Sequence, residues 1–431
     1  MPLVASSQMA RADVAIAGAG PAGLMAAIAA AGEGADVVVC EKLPAVGAKL
    51  LATGGGRCNL TNTLPADEFI RRFGRAARFV SPALGLTGPS GLREFLARLG
   101  VATHAPDGAL VYPVSNSARR VRDALARRAG EIGVRFLAGM RVRNLVVNQG
   151  RVLGVAAEGG GVECGAVVLA TGGMSRPDLG STGDGYALAR AAGHAVAEPV
   201  PALVPLVTRP RWTRRCAGVA VARARVAVEA GRKDAPASEG ELLFTHRGVS
   251  GPAALDVSGE AAAALAERGE ATLVIDLAPG TDAAAWRGVF ERWRRERGGS
   301  MMRTLLAERL PARLARALVR LSCPSEDARA SRLAREEAIA LAGSLSGLRL
   351  TATATEGFGK SMATRGGVGL GEVDPRTLES RLVRGLFFAG EVLDVDGPCG
   401  GFNLTWAFAS GRLAGLHAAR SGSKATADER G

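Results

Sequence analysis

Residues 13–41 constrain this chain more than any other stretch. They read DVAIAGAGPAGLMAAIAAAGEGADVVVCE. An apolar run (Val14, Ala15, Ile16, Ala17) meets Gly18-Ala19-Gly20-Pro21-Ala22-Gly23. Small residues that can form a helix follow, and a second apolar run (Val37, Val38, Val39, Cys40) ends on Glu41. That order is the dinucleotide-binding βαβ unit. Gly18 permits the tight turn, Gly20 lets backbone approach a pyrophosphate, and Gly23 lets the helix pack close to the strand. The helix N-terminus offers free N–H groups and partial positive charge to the phosphates. Glu41, 18 residues past Gly23, sits where a carboxylate can accept hydrogen bonds from ribose hydroxyls. A bare GxGxxG arises by chance in a Gly/Ala-rich chain; the strand, glycines, helix, strand and acid in one order carry the inference.

The chain has 431 residues, enough for two or three domains or for one core with an insertion. Its net charge is +13, yet only five of its 54 basic residues are lysine. The basic residues are spread along the chain apart from a cluster at 287–313, and aromatics make up only 4%, so a base-stacking platform and a nucleic-acid partner are not expected. Six cysteines form no CxxC pair, and four scattered histidines give no zinc spacing. The start lacks the regions of a signal peptide, and the apolar run after Asp13 is broken by turn glycines and Pro21. No membrane association and a cytoplasmic location are the expectation.

After Glu41 a loop carries KLPAVGAKLLATGGGRCNLTN, with Gly54, Gly55 and Gly56 in a row. The pattern predicts helices over 66–79, 91–99 and 118–132. It then predicts a small β-meander over 134–137, 141–147 and 152–157. A buried strand ends in Ala170-Thr171-Gly172-Gly173, whose glycines let backbone pass close to a dinucleotide. A helix is predicted over 187–192, capped by Thr182 or Asp184. Prolines at 199, 201, 205 and 210 mark a change of domain. The expected organisation is 1–197 with 363–431 as a nucleotide-binding domain, interrupted by an insertion at 198–362. Within the insertion, 198–280 and 346–362 read as antiparallel β and 281–345 as helical. The chain returns through a strand ending in Gly390-Glu391 and a last helix after Gly400-Gly401-Phe402-Asn403-Leu404. The final dozen residues read as a disordered tail.

Four pieces thus stand in one order: GAGPAG with Glu41, TGGGRCNLTN, ATGG with GSTGDGY, and AGEVLDVDGPCGGFNLTWAFASG, with FTHRGVSGPAAL between the last two. Together they resemble the YhiN/BaiN-like (HI0933-like) NAD(P)/FAD-dependent oxidoreductase flavoproteins, over nearly the whole chain. The resemblance implies an α/β fold: a two-part, Rossmann-like FAD-binding domain with an inserted β-barrel-like and helical domain. It implies that Gly18, Gly20, Pro21, Ala22 and Gly23 cradle the FAD pyrophosphate and that Glu41 holds the ribose. Arg57, Cys58 and Asn59 then line the flavin side, and Gly390 and Glu391 lie beside the ribityl-pyrophosphate. Gly401, Asn403 and Leu404 bring backbone N–H groups to the flavin N1–C2=O edge, where reduced flavin is anionic. Lys42, Val142, Ala170, Thr171 and Gly172 complete the expected contacts. Cys399 departs from the pattern, since a threonine is expected before the Gly-Gly pair.

Two residues are catalytic candidates. His246, in FTHRG, can protonate a substrate carbon or, with Arg247, bind a carboxylate. Cys399 is either a thiol beside the flavin or a small packing residue. A Cys58–Cys399 disulfide is disfavoured, because disulfide reductases carry closely spaced cysteines. The expected activity is hydride transfer to or from flavin N5 on a small organic substrate, of conjugated-ketone reductase or amine/ketone oxidase type. NAD(P)H is a candidate electron donor, although no second GxGxxG is evident. The alternatives are an RNA-associated flavoprotein, motivated by the basic charge, and a protein in which FAD is structural.

Overall fold

The computed structural model describes residues 9–158, 160–229 and 237–428. The chain forms two compact units, Met1–Pro199 with Ala363–Gly431, and Val200–Met362.

The first unit is built on a five-stranded parallel sheet. Its order is Leu386–Phe388, Ala166–Leu169, Val14–Ala17, Val37–Glu41, Arg135–Ala138. Four of these strands are buried along their whole length, as a parallel sheet covered on both faces requires. Their sequences are accordingly unbroken apolar runs, and each fully buried valine, leucine or phenylalanine contributes about 1.5–3 kcal/mol. Leu386–Phe388 follows Ala166–Leu169 by more than 200 residues of chain, yet Ala389 N–H donates to Leu169 O at 2.9 Å, locking the late strand onto the early sheet.

The meander differs from the sequence expectation. Arg135–Ala138 is not part of it but edges the parallel sheet beside Val37–Glu41. Its half-exposed pattern suits an edge and is uninformative about which sheet it joins. The antiparallel strands are Val142–Asn148, Arg151–Ala157 and Gly160–Glu163, extended by Met9–Arg11 pairing in parallel. The helix predicted over 66–79 is also broken. It ends at Arg71, and Gly74 takes a left-handed φ of 51° before a new helix, Ala77–Leu86.

Two long helices cover the sheet, Pro21–Gly32 and the closing helix Phe402–Asp428. They touch backbone to backbone. A methyl group added at Gly411 would lie 2.2 Å from Ala22 O, and one at Gly415 would lie 2.3 Å from Ala26 O. The predicted disordered tail is instead a continuation of this helix to Asp428, where Gly422 approaches Asp13 O in the same way; residues 429–431 lie outside the described residues.

In the second unit six antiparallel strands close into a barrel. Their order is Leu206–Arg209, Gly248–Ser250, Ala237–Phe244, Ala220–Val228, Ala271–Asp276, Leu348–Thr355. A helical layer, including Ala283–Glu296, Ala312–Ser322 and Arg335–Ser346, buries Trp286, Phe290, Leu314, Leu318 and Leu345 against it. Asp282 caps the first of these helices by accepting from Ala285 N–H at 2.7 Å.

Candidate cofactor-binding site

The four sequence motifs of the first unit meet at the C-terminal ends of the parallel strands. In open α/β sheets that is where ligands bind. The glycine turn runs from Ala17 into the helix at Pro21. Gly18 has φ 100°, and a Cβ there would press on Ala170 O at 2.6 Å; a Cβ on Gly23 would collide with Gly18 O at 1.9 Å. Gly20 is different: nothing lies within 4 Å of where its Cβ would stand, so this glycine keeps space open. The helix has proline at its first position and no side-chain cap, leaving its first-turn N–H groups to an external acceptor.

Glu41 is buried at the end of its strand. One carboxylate oxygen accepts Ala19 N–H at 2.7 Å and the other accepts Leu43 N–H at 2.8 Å. The acid thus grips the glycine turn itself and retains lone pairs for a further donor. Beside it, Lys42 pairs with Asp184 at 2.9 Å and with Thr182, and Arg141 makes a two-pronged contact to Asp184. Asp184 and Thr182 therefore serve these cations, and the helix Asp184–Ala191 starts on Gly183 without a side-chain cap, contrary to expectation. Val142 follows Arg141 and is buried at the start of its strand.

Opposite the turn, Ala170 N–H donates to Ala17 O at 2.9 Å, and the Thr171 hydroxyl is buried without a partner among the described residues. Glu391 lies 4.0 Å from the Cβ position of Gly172. Its carboxylate receives Lys49 Nζ, Ser175 Oγ at 2.7 Å and Thr364 N–H at 2.7 Å, and Lys49 also bonds Ser175. Burial works to raise the Glu391 pKa, but the Lys49 charge and these three donors outweigh it and hold the group ionised below the usual carboxylate range.

The triple-glycine segment Thr53–Gly56 is a short 3-10 turn with left-handed backbone at Gly54 and Gly55. Arg57 is exposed; its guanidinium lies over the Tyr112 ring, 5.0 Å from the centroid. Cys58 is buried with a left-handed φ of 65°, and burial pushes its thiol up to about 11, the wrong direction for a nucleophile. Asn59 Oδ1 and Thr61 Oγ1 are buried without partners among the described residues. Asn403 holds Gly397 through both ends of its amide, accepting its N–H at 2.9 Å and donating to its carbonyl at 2.8 Å. That clasp shapes the loop carrying Cys399, which is partly exposed. Asn62 donates to Gly400 O at 2.9 Å, Thr405 to Leu60 O at 3.2 Å, and Trp406 Nε1 to Gly390 O at 3.2 Å. Gly401 sits so near Thr61 that a Cβ would lie 2.5 Å from its Cα, and Leu404 is buried behind it. The GGGRCN and GGFN segments are thus physically joined, and the AGE segment hangs on the same closing helix.

His246 belongs to the second unit. It is exposed in the hairpin turn of the barrel unit, where Thr245 Oγ1 accepts N–H groups from Arg247 and Gly248. Lys49, Ser175 and Thr364 escaped the sequence expectations. The one available signal was Lys49 itself, a lysine kept in an arginine-rich chain just before TGGG.

The donor set suits an adenine dinucleotide carrying flavin. It combines an uncapped helix end over open space, an acid at the second strand's end, and orphaned polar atoms on Thr171, Asn59 and Thr61. Fold and site define an FAD-dependent oxidoreductase of the two-part Rossmann-like class. The HI0933-like protein Rossmann domain family matches residues 12–417, and the chain belongs to that family. A 3-dehydro-bile acid delta(4,6)-reductase of Clostridium scindens is 36% identical over 408 residues, covering 94% of this chain and 98% of the relative. A ribosomal RNA dihydrouridine synthase of Escherichia coli is 31% identical over 406 residues, covering 93% and 96%. Among solved structures, a 3-ketosteroid-delta4-(5alpha)-dehydrogenase from Rhodococcus jostii aligns with TM-score 0.51 at 20% identity, over 96% of this chain and 98% of its own. A flavocytochrome c3 fumarate reductase aligns with TM-score 0.52 at 21% identity, over 96% and 78%. At such identities these structures establish the shared fold alone.

Proposed function

We propose that this protein reduces a carbon–carbon double bond conjugated to a carbonyl in a small, largely apolar molecule, drawing electrons from NADH or NADPH. The observation that supports this most is the full-length likeness to a reductase whose name specifies a 3-oxo, Δ4,6 substrate. When bound, FAD supplies hydride at N5. The chain's own residues bind and orient. The uncapped helix at Pro21 takes the pyrophosphate, Glu41 takes the ribose while bracing the turn, and Asn403 and Asn62 hold the loop that presents Gly401 to the flavin edge. Cys58 stays a protonated thiol packed behind the flavin side. Hydride addition to an enone leaves negative charge on its oxygen, and Arg57 is the exposed cation nearest in sequence to those flavin-side residues.

The test is anaerobic reduction of the loaded protein by NADH or NADPH, followed by addition of a 3-oxo-Δ4 steroid. Reoxidation with loss of the enone absorbance is the expected result. Rapid reduction with no reoxidation by any enone contradicts the substrate class.

A second reading is a dihydrouridine synthase acting on RNA, favoured by the Escherichia coli relative and by the +13 charge. It requires salt-sensitive RNA binding and conversion of uridine in ribosomal RNA. Unmodified RNA after incubation with reduced protein removes it.

A further inference from the structure

The pyrophosphate of FAD brings two negative charges to the glycine turn, and Glu391 is already there as a third. A helix N-terminus offsets only about half a charge. A cation is needed, and the two basic residues expected to contact the cofactor are tied to partners outside the glycine turn. Lys42 is held by Asp184 and Thr182, with Arg141 on the same carboxylate. Arg57 lies over Tyr112 and reaches back to Gly54 O. Lys49 is placed otherwise. Its short helix, Ala48–Ala52, is docked on the turn, because Gly47 N–H donates to Ala19 O at 2.9 Å. Its partner Glu391 follows Gly390, which packs on Ala22 in the first turn of the glycine helix; a Cβ on Gly390 would lie 3.0 Å from Ala22 Cβ. The segments that carry Lys49 and Glu391 therefore flank the turn on two sides. An ammonium has three donors, and Glu391 and Ser175 take two. The Lys49 side chain remains 23% exposed.

We propose that Lys49 is the cationic contact to the FAD pyrophosphate, with Glu391 and Ser175 acting as positioning residues that hold its ammonium at the glycine turn. This rests on the FAD reading above and adds a binding residue that the glycine motif alone does not reveal. The merely structural alternative is that Lys49 does no more than neutralise Glu391.

Flavin-fluorescence titration of the full-length apoprotein separates the two, using FAD and riboflavin, which lacks phosphate. Lys49→Met is compared with wild type and with the Lys49→Met/Glu391→Gln double variant, which leaves no unpaired carboxylate to disturb folding. Loss of a charge-assisted contact is expected to weaken FAD binding by about 10-fold or more in both variants. Riboflavin binding by Lys49→Met is expected to change by less than about threefold, since the lost partner is a phosphate. Recovery of wild-type FAD affinity in the double variant, or equal loss for FAD and riboflavin, overturns the proposal. Wild-type protein that binds riboflavin and FAD equally well also overturns it. Wild-type protein that binds neither overturns the FAD reading beneath it.

Discussion

Glu41 braces the glycine turn with its carboxylate. A ribose contact was the expectation from its position after an apolar run; the brace was not legible, because the Ala19 N–H it accepts becomes a neighbour only when the turn folds back on the strand end. Glu41→Gln is therefore expected to lower FAD affinity by about 10-fold, and also to cost the apoprotein about 1–3 kcal/mol by stranding a buried donor. Thermal melts with and without FAD check both effects; an unchanged apoprotein melt with full FAD affinity contradicts the assignment. His194 sets a second residue-scale expectation. Its ring is fully buried, with Nε2 2.8 Å from Ser380 Oγ, Nδ1 3.2 Å from Glu372 Oε2 and an edge contact to Phe388. Burial lowers its pKa and the Glu372 charge only partly opposes this. The folded state thus holds fewer protons at this site than the unfolded chain does. Its contribution is complete above the unfolded value, about 6.5, and is lost as pH falls through the depressed folded value. The melting temperature should fall on acidification below about pH 6.5, and less steeply in His194→Gln. An identical slope in the variant contradicts this. Lone histidines carry no such information in sequence, since burial decides their titration.

At the scale of elements, the strand–glycine–helix–strand unit was legible almost to the residue: Val14–Ala17, Pro21–Gly32 and Val37–Glu41. Its boundaries are set by glycines and an acid that have local reasons to be there. Arg135–Ala138 was misplaced because a short half-buried strand does not say which sheet it will join; partner choice is a tertiary fact. The closing helix ran past its expected end for a related reason. Small polar residues look disordered until Gly411, Gly415 and Gly422 are seen against the backbone of 22, 26 and 13. Those contacts make a direct prediction. Gly415→Val places a side chain where its Cβ meets Ala26 O at 2.3 Å. Two backbones must separate, and the loss should be at least about 1–3 kcal/mol by chemical denaturation. No loss would mean that the helices are not in register as described. Because Gly390 and Trp406 tie the same helix to the AGE segment, the variant should also bind FAD more weakly.

For the whole molecule, what the sequence carried was order along the chain. Four motifs, early and late, had to converge, and the parallel sheet with Leu386–Phe388 beside Ala166–Leu169 brings them together. The closed barrel was visible as alternating apolar stretches between turns, although its closure depends on Leu206–Arg209 pairing with Leu348–Thr355, some 140 residues later. What the sequence withheld was the polar wiring. Lys49, Ser175, Thr364 and Glu391 come from four segments, and of these residues only Glu391 was named from the sequence. Among the described residues no helix is long and apolar enough to cross a membrane. The most direct test of the account is the visible spectrum of full-length protein incubated with FAD and freed of unbound cofactor. The expected result is a yellow protein with the two absorption bands of oxidised flavin and about one FAD per chain, as a single dinucleotide fold holds. A correctly folded, colourless protein that retains no FAD would contradict it.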